Sequence, residues 1–98
     1  MSLTLVNLFT VTPEEAESFV ARFKAISEKF ADAPGFGGTE LQRNAGVGDQ
    51  TYQFVNTAIW ESEADWRVAL MKILAEGGVV PKAALYESIV PLPAKGAN

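Results

Sequence analysis

The segment from Thr51 to Glu61 has apolar side chains on both faces of the strand that it is expected to form. One face carries Tyr52, Phe54, Asn56, Ala58 and Trp60, and the other carries Val55, Thr57 and Ile59. Successive side chains of a strand point to opposite sides of the sheet. Helices on one face would leave the other exposing roughly several hundred Å² of apolar surface, which is unusual for a soluble monomer. We therefore expect a homodimer in which the uncovered sheet faces pack together.

Hydrophobic periodicity and turn signals predict four strands and two helices in the order β-α-β-β-α-β. The predicted strands are Leu3 to Val11, Phe36 to Asn44, Thr51 to Glu61 and Ala84 to Val90. The glycine pair at 37 and 38 suggests a bulge, a bend or a close approach of another group to the backbone in the second strand. This order predicts an α+β, ferredoxin-like domain with a four-stranded antiparallel sheet and two helices.

Capping signals predict where both helices begin and end. Thr12, Pro13 and Glu15 form a helix start with a capping box, and the helix is expected to stop at Ala33-Pro34-Gly35. Ser62 starts the second helix in the same way, and Gly77-Gly78 ends it. The connector from Gly77 to Pro81 is either a mobile lid or a plain link.

The composition of the chain excludes several classes of function. The 98 residues fit a single domain, 1–98, and eight Lys and Arg against twelve Asp and Glu give a net charge of −4. No basic block suits nucleic acid, and no apolar stretch suits a membrane span. The N-terminus lacks signal-peptide features, which favours a cytoplasmic protein.

The residue types also limit the chemistry that we expect. The sequence contains neither Cys nor His, so disulfides, thiolate nucleophiles, imidazole bases and common zinc sites are excluded. No glycine-rich phosphate loop follows a strand, so neither a flavin nor a nicotinamide cofactor is indicated. We expect no metal and no cofactor.

Two asparagines within apolar strands are the polar residues of most interest. Asn7 either makes local hydrogen bonds or projects into a pocket between sheet and helices, where it would bind a carbonyl or an oxyanion. Asn56 allows the same two interpretations. Trp60 shares their predicted face, either as part of the core or as an aromatic wall with an N–H donor. Phe23, on the first helix, either packs in the core or lines the same pocket.

Four segments together resemble the antibiotic biosynthesis monooxygenase family over about residues 3–91. They are VNLFTV at 6–11, APGF at 33–36, FVNTAIWES at 54–62 and ALYE at 84–87. The resemblance implies a dimeric α+β barrel of two ferredoxin-like chains. Members include enzymes that oxygenate anthrone-type polyketides or quinols with O2 and no cofactor, and relatives that degrade haem.

The resemblance implies site residues as well. Asn7 and Trp60 match pocket positions of the family and are the expected catalytic residues. The family's pocket Tyr and Arg are assigned to Tyr52 and Arg67. The expected substrate-binding residues are then Phe23, Asn56, Tyr52 and Arg67. The haem-degrading members use a histidine on the second helix, where this chain has Leu70 or an apolar neighbour.

Our leading hypothesis is a cofactor-independent monooxygenase that uses O2 to oxidise a small aromatic phenol, quinol or polyketide-like substrate. The alternatives are a non-catalytic dimer that binds a small apolar ligand and, less favoured because the sequence has no histidine, a haem-binding or haem-degrading relative.

Overall fold

The computed structural model describes residues 2–96, which form one four-stranded sheet with two helices packed on one face. The elements are β1 (Leu3–Phe9), α1 (Ala16–Glu28), β2 (Phe36–Arg43), β3 (Phe54–Trp60), α2 (Glu63–Ala75) and β4 (Ala83–Glu87). The sheet order is β2-β3-β1-β4, and every neighbouring pair is antiparallel. The predicted ferredoxin-like α+β fold is confirmed. Within the described residues, no helix is long and apolar enough to cross a membrane.

The two central strands, β1 and β3, supply most of the core. Their register pairs Leu5 with Ala58, Asn7 with Asn56 and Phe9 with Phe54. Because directly paired residues of antiparallel strands point to the same side, these six side chains share the face that the helices cover, and all six are buried. The alternate residues of β1 and β3 lie on the opposite face, which no other element of the described chain covers.

The glycine pair forms a bulge in β2, which is one of the alternatives expected for it. Phe36 pairs with Trp60 and Thr39 pairs with Ala58, so β2 has one extra residue between these pairs. Gly38 has a φ of +106°, which side chains with a Cβ rarely adopt. A Cβ at Gly37 would lie 2.9 Å from Cγ2 of Ile59.

The first helix differs from the prediction at both ends. It begins with a 3₁₀ turn, Pro13–Glu15, in which the Thr12 hydroxyl donates to the Glu15 carboxylate rather than capping a backbone N–H. It ends at Glu28 instead of continuing to residues 33–35. The N–H of Phe30 then bonds to the carbonyl of Ser27 in a tighter turn, and the Phe30 side chain enters the core.

All four strands are shorter than predicted, and tertiary contacts explain two of the differences. β3 begins at Phe54 rather than at Thr51, because the Asn44 side chain binds the Tyr52 carbonyl oxygen and holds this stretch as a loop. β4 ends at Glu87, which pairs with Leu3, the first residue of β1. Beyond Glu87 the chain leaves the sheet, and Ile89 and Val90 are about four-fifths exposed.

The predicted cap of the second helix is confirmed and yields a stability prediction. The Ser62 Oγ accepts a hydrogen bond from the Asp65 N–H at 3.1 Å and donates one to the Asp65 carboxylate at 2.9 Å. We expect Ser62→Ala to lower the free energy of unfolding by about 1 kcal/mol in urea denaturation. Thr12→Ala is the matched control and should have a smaller effect, because Thr12 caps no backbone N–H. Equal losses in both variants would contradict this assignment.

Candidate active site

A cavity of about 390 Å³ lies between the sheet, α1, α2 and the connector that leads into β4. Its floor is formed by buried residues of β1 and β3, and its walls are mostly apolar. The apolar lining includes Leu5, Phe9, Phe19, Phe23, Ile26, Phe30, Phe36, Ala58, Trp66, Leu70 and Ile73. Such a cavity suits an apolar or aromatic small molecule.

Asn7 and Trp60, the two expected catalytic residues, both line this cavity. They are 4% and 3% exposed. The Oδ1 atom of Asn7 and the Nε1 atom of Trp60 are buried and have no hydrogen-bond partner within residues 2–96. Buried polar atoms are nearly always paired in folded proteins. Two residues that line the apolar cavity therefore carry, respectively, one unused acceptor and one unused donor.

Asn56 also lines the cavity, but its side chain is engaged differently. Its Nδ2 donates to the Thr39 hydroxyl at 2.5 Å and to the Glu40 carbonyl oxygen at 3.1 Å. Both partners belong to β2, just after the bulge. Asn56 therefore ties β2 to β3, whereas its cross-strand partner Asn7 leaves its oxygen free.

Aromatic side chains surround the two ends of the cavity. Phe23 lines it as expected, and its ring centroid lies 6.5 Å from that of Phe19. Phe19 in turn packs against Phe9 and Phe54, with centroid distances of 4.9 Å to each ring. At the other end, the rings of Trp60 and Phe36 are 5.2 Å apart.

Tyr52 and Arg67, the other two expected substrate-binding residues, do not line this cavity. Tyr52 precedes β3, and its hydroxyl accepts a hydrogen bond from Lys82 Nζ at 2.9 Å. Arg67 lies on the exposed side of α2 and donates through Nε to the Glu63 carboxylate at 2.6 Å, one helical turn away. The pairing of Tyr52 with Lys82 joins residues 30 positions apart in sequence, which no local pattern reveals.

The structure adds Arg22, which the sequence reasoning missed. Its exposed side chain lines the cavity near its mouth, and Nη2 donates to the Gly77 carbonyl oxygen at 2.5 Å. A signal was available, because Arg22 follows Phe19 by three residues and precedes Ile26 by four, which places it on the apolar stripe of α1. An arginine on such a stripe either extends its head group into water or presents it to a ligand.

The connector from Gly77 to Pro81 forms one wall of the cavity. Gly77 has a φ of +81°, and the Gly78 N–H bonds to the Ile73 carbonyl oxygen at 2.8 Å. A Cβ at Gly78 would come within 2.6 Å of Cγ2 of Ile73, so the glycine pair lets the chain turn closely around the end of α2. Residues 2–96 contain no cluster of three or more Asp and Glu side chains that could hold a metal ion.

Comparison with known proteins agrees with the family resemblance of the four sequence segments. The model of the antibiotic biosynthesis monooxygenase family matches residues 2–70. Among solved structures, a proposed monooxygenase from Shewanella loihica is 35% identical, with a TM-score of 0.77 over 92% of this chain and 96% of that one. SnoaB, a cofactor-independent oxygenase from Streptomyces nogalater, is 31% identical, with a TM-score of 0.68 over 95% and 98% of the two chains.

Haem-degrading proteins also share the fold. One from Mycobacterium tuberculosis is 18% identical, with a TM-score of 0.69 over 95% of this chain and 100% of that one. At this identity the likeness concerns the fold alone. The curated proteins give no match.

Proposed function

Because the chain belongs to the antibiotic biosynthesis monooxygenase family, we propose that it is a cofactor-independent monooxygenase that uses O2 to oxidise a small aromatic phenol, quinol or polyketide-like compound. One observation carries the proposal: Asn7 and Trp60 line the apolar cavity, and each has a buried polar atom, Asn7 Oδ1 and Trp60 Nε1, with no partner in the described chain. A substrate hydroxyl would donate a hydrogen bond to Asn7 Oδ1, and a substrate carbonyl or oxyanion would accept one from Trp60 Nε1. The 31% identity to SnoaB supports the same reaction class.

The proposed reaction needs no added reductant. A hydroquinone and O2 contain all the atoms of a hydroxyquinone and one water, and the substrate supplies the electrons that reduce O2. The protein then has to bind the substrate in one orientation, exclude water from it and stabilise its anion. The aromatic walls and the buried floor of the cavity suit the first two tasks, and Asn7 and Trp60 suit the third.

We assign the site residues as follows. Asn7 orients the reacting oxygen of the substrate through its amide, which carries both a donor and an acceptor. Trp60 forms an aromatic wall and donates its N–H. Phe23 contacts the substrate ring from α1. Asn56 fixes the β2 edge of the floor and contacts the substrate only through atoms that its bonds to β2 leave free.

We propose further that the protein is a homodimer joined through the sheet face that the helices do not cover. The central part of that face comprises Thr4, Val6, Leu8, Val55, Thr57, Ile59, Ala84 and Tyr86. Ile59 and Tyr86 are exposed in the single chain. A second copy offers the same apolar surface about a twofold axis and is the simplest partner that would cover it.

Oxygen uptake by the purified, metal-free protein tests the proposed reaction. We expect uptake above the spontaneous rate with at least one member of a panel of anthrones, naphthols and hydroquinones. Trp60→Phe should lower kcat by about 100-fold, since loss of one preorganised donor has an effect of that order. The matched control is Trp66→Phe, which also removes an indole from the lining but no unpaired buried N–H, and it should retain most of the activity.

Two results would contradict the proposal. Uptake equal to that of buffer across the panel, together with binding of the same compounds, would favour a non-catalytic binding protein. Equal losses in Trp60→Phe and Trp66→Phe would remove the role assigned to the Trp60 N–H. Hemin titration provides the remaining comparison, because a shifted Soret band would indicate haem binding through a ligand other than histidine.

A further inference from the structure

Arg22 brings a positive charge to the cavity, and most of its hydrogen-bonding capacity is unused. Of the lining residues in the described chain, Glu15 and Arg22 are charged. The guanidinium carries five N–H donors, yet it makes one hydrogen bond, to the carbonyl oxygen of Gly77. The two ion pairs found within residues 2–96 do not involve Arg22. The guanidinium is therefore held in place by the end of α2 while its other donors stay available.

The packing of α1 locates Arg22 relative to the sheet. Phe19 packs on Phe9 and Phe54, and Ile26 packs against the cluster that contains Leu5 and Ala58. In the register of β1 and β3, the Asn7–Asn56 pair lies between these two positions. Arg22 lies between Phe19 and Ile26 along α1. It therefore lies at the level of the two asparagines.

The connector that Arg22 binds at Gly77 continues to the strand that pairs with β1. The Lys82 carbonyl oxygen accepts a hydrogen bond from the Leu8 N–H at 2.9 Å, and Ala83 pairs with Asn7. The chain that Arg22 binds at Gly77 thus reaches the sheet beside Asn7. Arg22 and Asn7 line the same cavity, and the packing of α1 places them at the same level of the sheet.

We propose that Arg22 stabilises the ionised oxygen of the aromatic substrate, with Asn7 binding the same end of the ligand. The inference rests on the proposed function and adds a step to it. On binding, the phenolic O–H bond breaks, the electron pair stays on the substrate oxygen, and the proton leaves to solvent through the mouth of the cavity. The phenolate is the electron-rich form that O2 oxidises, so this step precedes electron transfer.

Among the described residues, the other charged side chains around the cavity are already paired or carry the wrong sign to stabilise the ionised oxygen. Glu15 faces the mouth from the turn before α1, seven residues from Arg22, and its carboxylate accepts the Thr12 hydroxyl. Lys29, on α1, is paired with Glu76 at the end of α2. Lys82, after the connector, donates to the Tyr52 hydroxyl.

The test uses 1,8-dihydroxyanthraquinone, a redox-stable probe whose visible absorption changes when its phenol ionises. Bound to the wild-type protein, its pKa should fall by about 1–3 units relative to the free probe, as an opposite charge within a few Å produces. In Arg22→Gln the lowering should disappear, and in Arg22→Lys part of it should remain. Glu15→Gln, which removes the other charge at the mouth, should keep the lowering.

The outcomes separate this inference from the proposed function. An equal pKa in wild type and Arg22→Gln, or no lowering in the wild type, overturns the role of Arg22 while oxygen uptake still stands. Failure of the probe to bind the wild-type protein overturns this inference, whereas the proposed function is still decided by the oxygen-uptake panel. A purely structural role for Arg22 at the end of α2 would change stability without moving the pKa of the bound probe.

Discussion

Replacing Asn7 with leucine should lower oxygenase turnover by about 100-fold while leaving the free energy of unfolding equal to or higher than that of the wild type. The Asn7 oxygen is buried without a partner in the described chain. Burying an unpaired polar atom is unfavourable, by about 1–3 kcal/mol, and leucine has nearly the same size and no polar atom. A residue kept at a cost in stability is typical of a functional site.

Asn56→Leu is the matched control, because Asn56 is the cross-strand partner of Asn7 and equally buried. Its amide donates to Thr39 and to the Glu40 carbonyl oxygen. We expect a loss of about 1–3 kcal/mol in the free energy of unfolding, since leucine leaves these acceptors unpaired. Urea denaturation and oxygen uptake measured on both variants would distinguish a functional role of Asn7 from a structural one. Destabilisation of Asn7→Leu to the same extent would mean that Asn7 is a structural residue.

Val6→Lys should convert the protein from a dimer to a monomer. Val6 lies in the central strand β1, between Thr57 of β3 and Ala84 of β4, on the face that the helices leave uncovered. In the proposed dimer, lysine would place an unpaired ammonium group in an apolar interface, which costs several kcal/mol in each subunit. Sedimentation equilibrium should give twice the chain mass of 10.5 kDa for the wild type and the single mass for the variant.

Val68→Lys is the matched control, because it makes the same substitution at a position on α2 that is 57% exposed. It should stay dimeric. A monomeric wild type, or a Val6→Lys variant with wild-type mass, would refute the proposed interface. Circular dichroism shows whether the Val6→Lys chain still folds. If it does not, Val6→Thr should raise the dimer dissociation constant of a folded protein.

Local sequence patterns predicted the elements but not where each one ends. The period-two pattern of β1 and β3 and the cap at Ser62 depend on neighbours within a few residues, so they can be recognised from the sequence alone. The end of β4 depends on where β1 begins, since a strand needs a partner for its backbone groups. The early end of α1 depends on the place that Phe30 finds in the core.

The site was partly predictable for a related reason. An asparagine within an apolar strand conflicts with local preference, and such conflicts tend to mark functional positions. That signal singled out both Asn7 and Asn56 and could not separate them. The difference lies in the bulge of β2, which brings Thr39 and the Glu40 carbonyl oxygen to Asn56 and nothing comparable to Asn7.

The sequence by itself determined the fold class and the face on which Asn7 and Trp60 lie, because alternation and capping are local properties of the chain. It also determined the family, through the resemblance of four segments to family members. The tertiary structure alone decided which polar atoms stay unpaired, that Tyr52 and Arg67 lie outside the cavity, and that Arg22 reaches it. These outcomes depend on contacts such as that of Arg22 with Gly77, 55 residues apart. Only packing brings such residues together.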